Sequence, residues 1–150
     1  MEKNDTIQSV LDEFLPQLEN CKSFPLSVSH YKVEKPWGYE IWLAINPYYA
    51  YKLIHMKSGK MSSLQSHVEK IETNYVIMGQ AKVLLEIDNE LKEFVFQAGE
   101  GWNVNPGQKH RVISLEDYTA LEVSTPHLND VIRYEDNYNR PSGKIDAEHT

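Results

Sequence analysis

From Tyr39 onward the chain runs in short stretches rich in β-branched and aromatic residues, broken at fairly regular intervals by Gly, Asn, Asp and Pro. That rhythm predicts antiparallel strands. The stretches are Tyr39 to Ile45, Tyr51 to Lys57, Asn74 to Met78, Ala81 to Ile87, Leu91 to Phe96, Trp102 to Val104, Arg111 to Ser114 and Ala120 to Val123. Gly79-Gln80 and Asp88-Asn89 are the expected hairpin turns of a meander, because Gly, Asn and Asp accept the positive φ of tight turns. Ahead of the strands the period changes. Ile7, Val10, Leu11, Phe14, Leu15 and Leu18 recur at helical spacing behind the capping candidates Asn4, Asp5 and Thr6, and Pro16 ends or kinks the helix. The pattern divides the chain into an amphipathic helix and connector over residues 1–32, an all-β barrel over 33–136 and a tail over 137–150. With Pro141, Gly143 and mixed charges, the tail has little apolar surface to bury and is expected to be partly disordered.

Composition narrows the class. A chain of 150 residues with 41% hydrophobic and 25% charged residues fits one soluble globular domain. No apolar run is long enough to span a bilayer, and the polar opening Met1 to Thr6 lacks the apolar core of a secretory signal. The single Cys21 fits a reducing compartment, so a cytoplasmic location is expected. A net charge of -7 argues against nonspecific binding to nucleic acid or to an anionic membrane. An anionic small molecule stays open, provided that a local positive cluster receives it.

The candidate chemistry lies between Gly59 and Gly79. Gln65 and His67 alternate onto one face of a strand, Glu72 follows after a short connection, and His110 arrives from the turn-rich stretch Asn105-Pro106-Gly107. An amide oxygen, two imidazoles and a carboxylate suit a divalent transition metal: Zn²⁺ in the first place, with Mn²⁺, Fe²⁺, Co²⁺ or Ni²⁺ as alternatives. Without a set of thiolates the site is not a structural zinc finger. His30, His55, His127 and His149 lack matching spacing and read as surface or packed residues. Tyr75 stands close enough to Glu72 to line the same cavity, and Glu122 is a candidate base or a hydrogen-bonding support.

Gly59, Gln65, His67, Glu72 and Gly79 resemble the first motif of the cupin superfamily, with Gln65 where a histidine is usual. Gly99, Gly107 and His110 resemble the second, with Asn105 in the proline position. Within cupins the chain is most similar to the type II mannose-6-phosphate isomerase family. Pro36-Trp37-Gly38, Ser63-Leu64-Gln65 with His67, Leu121-Glu122-Val123 and Asp130-Val131-Ile132-Arg133 with Glu135-Asp136, Tyr138 and Arg140 carry that likeness. The resemblance implies a single jelly-roll barrel and a metal-dependent aldose–ketose isomerase acting on a sugar phosphate. It implies Gln65, His67, Glu72 and His110 as metal ligands, and a homodimer. Lys70, Arg111 and Glu122 are then the catalytic candidates, and Lys70, Arg111 and Tyr75 the substrate-binding ones; Arg111 matches the basic residue that follows the family's last histidine. The chain departs from the family at His67-Val68-Glu69-Lys70, where two histidines are lost and Lys70 replaces an arginine. That departure motivates an alternative, a non-catalytic cupin that binds a sugar or nucleotide sugar.

Overall fold

The computed structural model describes residues 31–149, so the expected helix from Ile7 to Leu18 and most of the connector lie outside the described residues. Eleven strands follow in order: β1 (Tyr31–Lys35), β2 (Gly38–Ile45), β3 (Ala50–Met56), β4 (Leu64–Ser66), β5 (Glu72–Met78), β6 (Gln80–Ile87), β7 (Glu90–Gln97), β8 (Gly101–Val104), β9 (His110–Ser114), β10 (Tyr118–Ser124) and β11 (Ile132–Glu135). They form two antiparallel sheets, ordered β1-β2-β3-β10-β5-β8 and β11-β4-β9-β6-β7. This is the expected jelly-roll barrel, and all eight expected strands are present. Among the described residues no helix is long and apolar enough to cross a membrane.

Alternation along the strands builds the interior. In the larger sheet one inward row joins Trp42, Lys52, Glu122, Asn74 and Trp102 across five strands. The next row joins Glu40, Ile54, Ala120 and Val76. One end of the barrel is therefore apolar: Met56, Val76, Trp102, Tyr118 and Ala120 pack there against Ala81, Val83 and Leu85 of the facing sheet. The other end carries charges on the same inward faces.

Three differences from the expected pattern have physical causes. β1 begins inside the expected connector, where pairing with β2 holds it, and β4 and β11 are short strands that pair with each other, β4 also touching β9 through Gln65 and His110. Asp88 and Asn89, with φ of 54° and 63°, do turn a hairpin between β6 and β7. Gly79 does not, because β5 and β6 belong to opposite sheets and the chain crosses between them there. A Cβ at Gly79 would meet the Asp117 carbonyl oxygen at 2.0 Å, so only glycine fits this crossing.

The tail is folded over its described length, Asn137 to His149, ending in a short 3-10 helix, Asp146–His149. Tyr138 packs against the core, and ion pairs hold the rest. Glu148 meets Lys35 at 2.5 Å and Arg140 at 3.1 Å, Arg140 meets Asp136 at 3.0 Å, and the Tyr31 hydroxyl donates to the His149 carbonyl at 3.0 Å.

Candidate metal centre

Three of the four expected donors form a buried cluster. His67, Glu72 and His110 offer ligand atoms that all lie within 4.8 Å of one another. His67 Nε2 is 3.6 Å from Glu72 Oε2, and His110 Nε2 is 3.7 Å from Glu72 Oε1. Backbone carbonyls fix both rings. His67 Nδ1 bonds the Asp130 oxygen at 2.5 Å and His110 Nδ1 bonds the Gln108 oxygen at 3.0 Å, so each Nε2 presents a lone pair toward the carboxylate. Burial lowers the His110 pKa, which favours the neutral, coordinating form.

His67 Nε2 and Glu72 Oε2 are buried without a hydrogen-bond partner among the described residues. Unsatisfied polar atoms of this kind are costly unless something else fills the space between them. A divalent cation fits: two neutral imidazoles and one carboxylate are borderline donors suited to zinc and its neighbours in the first transition row. The cluster can therefore hold a metal ion. Gln65 stands beside it, with Oε1 accepting from Ser63 Oγ at 2.6 Å and Nε2 lying 3.5 Å from His110 Nε2. Exchanging the two ends of the amide would aim Oε1 at the cluster and let Nε2 donate to Ser63.

A ladder of alternating charge climbs the cavity wall from the cluster. Lys70 Nζ lies 2.8 Å from Glu72 Oε2 and 3.5 Å from Glu122 Oε2, while Lys52 Nζ lies 3.9 Å from Glu122 Oε2 and 3.4 Å from Glu40 Oε2. The contact with Glu72 is a close, buried ion pair. Burial works against the charge of Lys70, but Glu122 and Glu72 outweigh it and hold the ammonium protonated. Burial, reinforced by the nearby charge of Glu72, pushes the Glu122 carboxyl up to about 7.

The other expected residues go elsewhere. Arg111 follows His110 on β9 and points to the opposite side. It is buried as a staple, with Nε donating to the Ser62 oxygen at 3.0 Å and Nη2 to the Glu135 oxygen at 3.1 Å. Tyr75 alternates outward from Asn74 and is half exposed. Val68 and Glu69 also face out, Val68 with 65% of its surface exposed and Glu69 beside His127 at 3.2 Å. The departure from the family pattern therefore falls on the surface, except at Lys70.

A family model described as mannose-6-phosphate isomerase C-terminal matches residues 23–136. The chain belongs to this cupin family. Its fold is shared with KdgF from Halomonas sp., at 18% identity and a TM-score of 0.56 over 66% of this chain and 88% of that one. Oxalate decarboxylase from Bacillus subtilis aligns at 19% identity and a TM-score of 0.65 over 79% of this chain. CapF, solved with the inhibitor 3-isopropenyl-tropolone, aligns at 17% identity and a TM-score of 0.64 over 84% of this chain. The chain spans 35% of the oxalate decarboxylase chain and 42% of the CapF chain. At such identities the likeness establishes the fold alone. No curated protein sequence matches the chain.

In this mannose-6-phosphate isomerase-type cupin, several residues without an assigned role in the sequence reading line the same cavity, among them Glu40, Lys52, Asn74, Arg133 and Arg140. The cavity encloses about 1000 Å³ of empty space, part of it open to solvent. Lys52 had a legible sign, since a lysine interrupts the inward series Ala50, Ile54 and Met56 of β3. Asp130 had none beyond its place in the family motif. Its carboxylate accepts the backbone N–H groups of Val68 at 2.9 Å, Glu69 at 2.7 Å and Lys70 at 2.9 Å. It thereby shapes the loop that joins His67 to Glu72.

Proposed function

We propose that the chain is a metal-dependent aldose–ketose isomerase acting on a sugar phosphate, like the mannose-6-phosphate isomerases of its family. The observation that carries this reading is geometric: the buried His67, Glu72 and His110 cluster lines one cavity together with the buried carboxyl of Glu122 and the ammonium of Lys70. His67, Glu72 and His110 would hold the metal, zinc in the first place, with Gln65 as the fourth ligand after its amide turns. The bound ion supplies Lewis-acid polarisation of neighbouring sugar oxygens.

Isomerisation takes a proton from the carbon beside a carbonyl and returns one to the adjacent carbon, with no net redox change. A group that titrates near the working pH performs both transfers well. Glu122 takes the proton as a carboxylate and returns it as an acid. Lys70, held protonated, cannot be the base; its ammonium donates to the oxygen on which negative charge develops. Arg111 and Tyr75 have no part in this proposal, since neither lines the cavity.

Mannose 6-phosphate and fructose 6-phosphate, each mixed with metal-supplemented protein in deuterium oxide, provide the test. We expect interconversion with deuterium entering the product carbon, lost on chelation and restored by a divalent ion. No interconversion with any supplied first-row ion, alongside retained sugar binding, would establish the non-catalytic alternative instead.

A further inference from the structure

Among the described residues, Arg133 lines the cavity without an ion pair to an acidic side chain. It lies on β11 directly opposite Gln65, which in turn pairs with His110, so the three residues form one row across β11, β4 and β9. Side chains so paired start about 5 Å apart at Cβ, which puts a guanidinium within reach of a ligand at the metal centre. Its fork is divided. Nη1 donates to the carbonyl oxygens of Pro141 and Gly143, while Nε is buried and has no hydrogen-bond partner among the described residues. The neighbouring acids do not claim it. Glu148 is taken by Lys35 and Arg140, Asp136 by Arg140, and Glu40 by Lys52 and the Trp42 indole.

The Nε and Nη2 hydrogens form the side-on edge of a guanidinium, the edge that grips two oxygens of one oxyanion. With Nη1 tied to the C-terminal segment, that edge is held in place before a ligand arrives. We propose that Arg133 receives the phosphate group of the substrate on its Nε–Nη2 edge, within the cavity and beside the metal centre. The assignment rests on the sugar-phosphate reading for the identity of the anion. Burial and the adjacent Arg140 both lower the Arg133 pKa, a strain that a bound anion relieves.

Titration calorimetry on the zinc-loaded full-length chain, with inorganic phosphate and with mannose 6-phosphate, tests the proposal. Arg133→Met is expected to weaken both about tenfold or more, the usual worth of a hydrogen bond to a charged group. Mannose, which carries no anion, is expected to bind the variant and the unaltered chain alike. Equal phosphate affinity in the variant, or an equal loss for mannose, makes Arg133 a structural clasp and overturns the proposal. Glucuronate is the second arm: tighter, Arg133-dependent binding of this carboxylate than of mannose 6-phosphate overturns the phosphate assignment. A direct readout needs no folded Met variant. The Arg133 Nε–H resonance, assigned by its loss in Arg133→Lys, is expected to shift on addition of phosphate to the unaltered chain; a resonance that stays put refutes the contact. Phosphate binding through Arg133 without turnover would sink the isomerase reading alone. Turnover without dependence on Arg133 would do the reverse.

Discussion

Glu40 is mostly buried, Glu122 is buried, and both face Lys52, yet their titrations move in opposite directions. Burial would raise either one. At Glu40 the charges of Lys52 and Lys35 and the Trp42 hydrogen bond overcome it and bring the carboxyl from its ordinary 4.5 down to about 2. At Glu122 the repulsion from Glu72 adds to burial, and Lys70 and Lys52 do not cancel the sum. The two glutamates therefore have different work. Glu40 stays ionised and contributes stability that is fully present above the unfolded value near 4.5 and is lost as pH falls toward 2. Glu40→Gln should cost on the order of 3 kcal/mol at neutral pH, and denaturant melts should show the gap to the unaltered chain closing in acid. If Glu122 is the proton carrier of the proposed isomerase, turnover should climb as pH rises through about 7 and then level off. Glu122→Gln should lower turnover roughly a hundredfold or more and erase that limb of the pH–rate profile.

Among the elements, strands with β-branched or aromatic runs between turn signals were readable, the four-residue β8 included, and β1, β4 and β11 were not. β6 and β7 announce themselves by their period, whereas β4 has three residues and exists because β9 and β11 flank it. The metal donors were legible for a related reason: their spacing is local to one strand and one loop, and only His110 comes from afar. What closes that loop was not legible, because Asp130 acts through three backbone N–H groups and leaves no side-chain pattern at Val68, Glu69 or Lys70. The same residue's carbonyl oxygen orients His67. Asp130→Ala should loosen the loop and weaken zinc binding about tenfold to a hundredfold, as losing an outer support of a metal ligand usually does. Competition with a chromogenic chelator reads this out, and unchanged zinc affinity would show that the loop holds its shape unaided.

At the scale of the whole molecule, the barrel sorts its functions by face. Inward faces of the larger sheet carry the charge ladder, while the outward faces of β5 and β10 leave Tyr75, Ile77 and Val123 exposed at 51%, 46% and 47%. Tyr75, expected at the substrate, sits instead on this apolar face. The homodimer expected from the family habit should bury it, and light scattering should give twice the chain mass at micromolar concentration, reduced to the single chain in Tyr75→Asp. The C-terminal segment closes the barrel on another side. The family match ends at residue 136, but the cavity wall continues through Arg140, Gly143, Lys144 and Ile145 to His149. A fragment trimmed to the family boundary would keep every metal donor and yet be a vessel with one side missing.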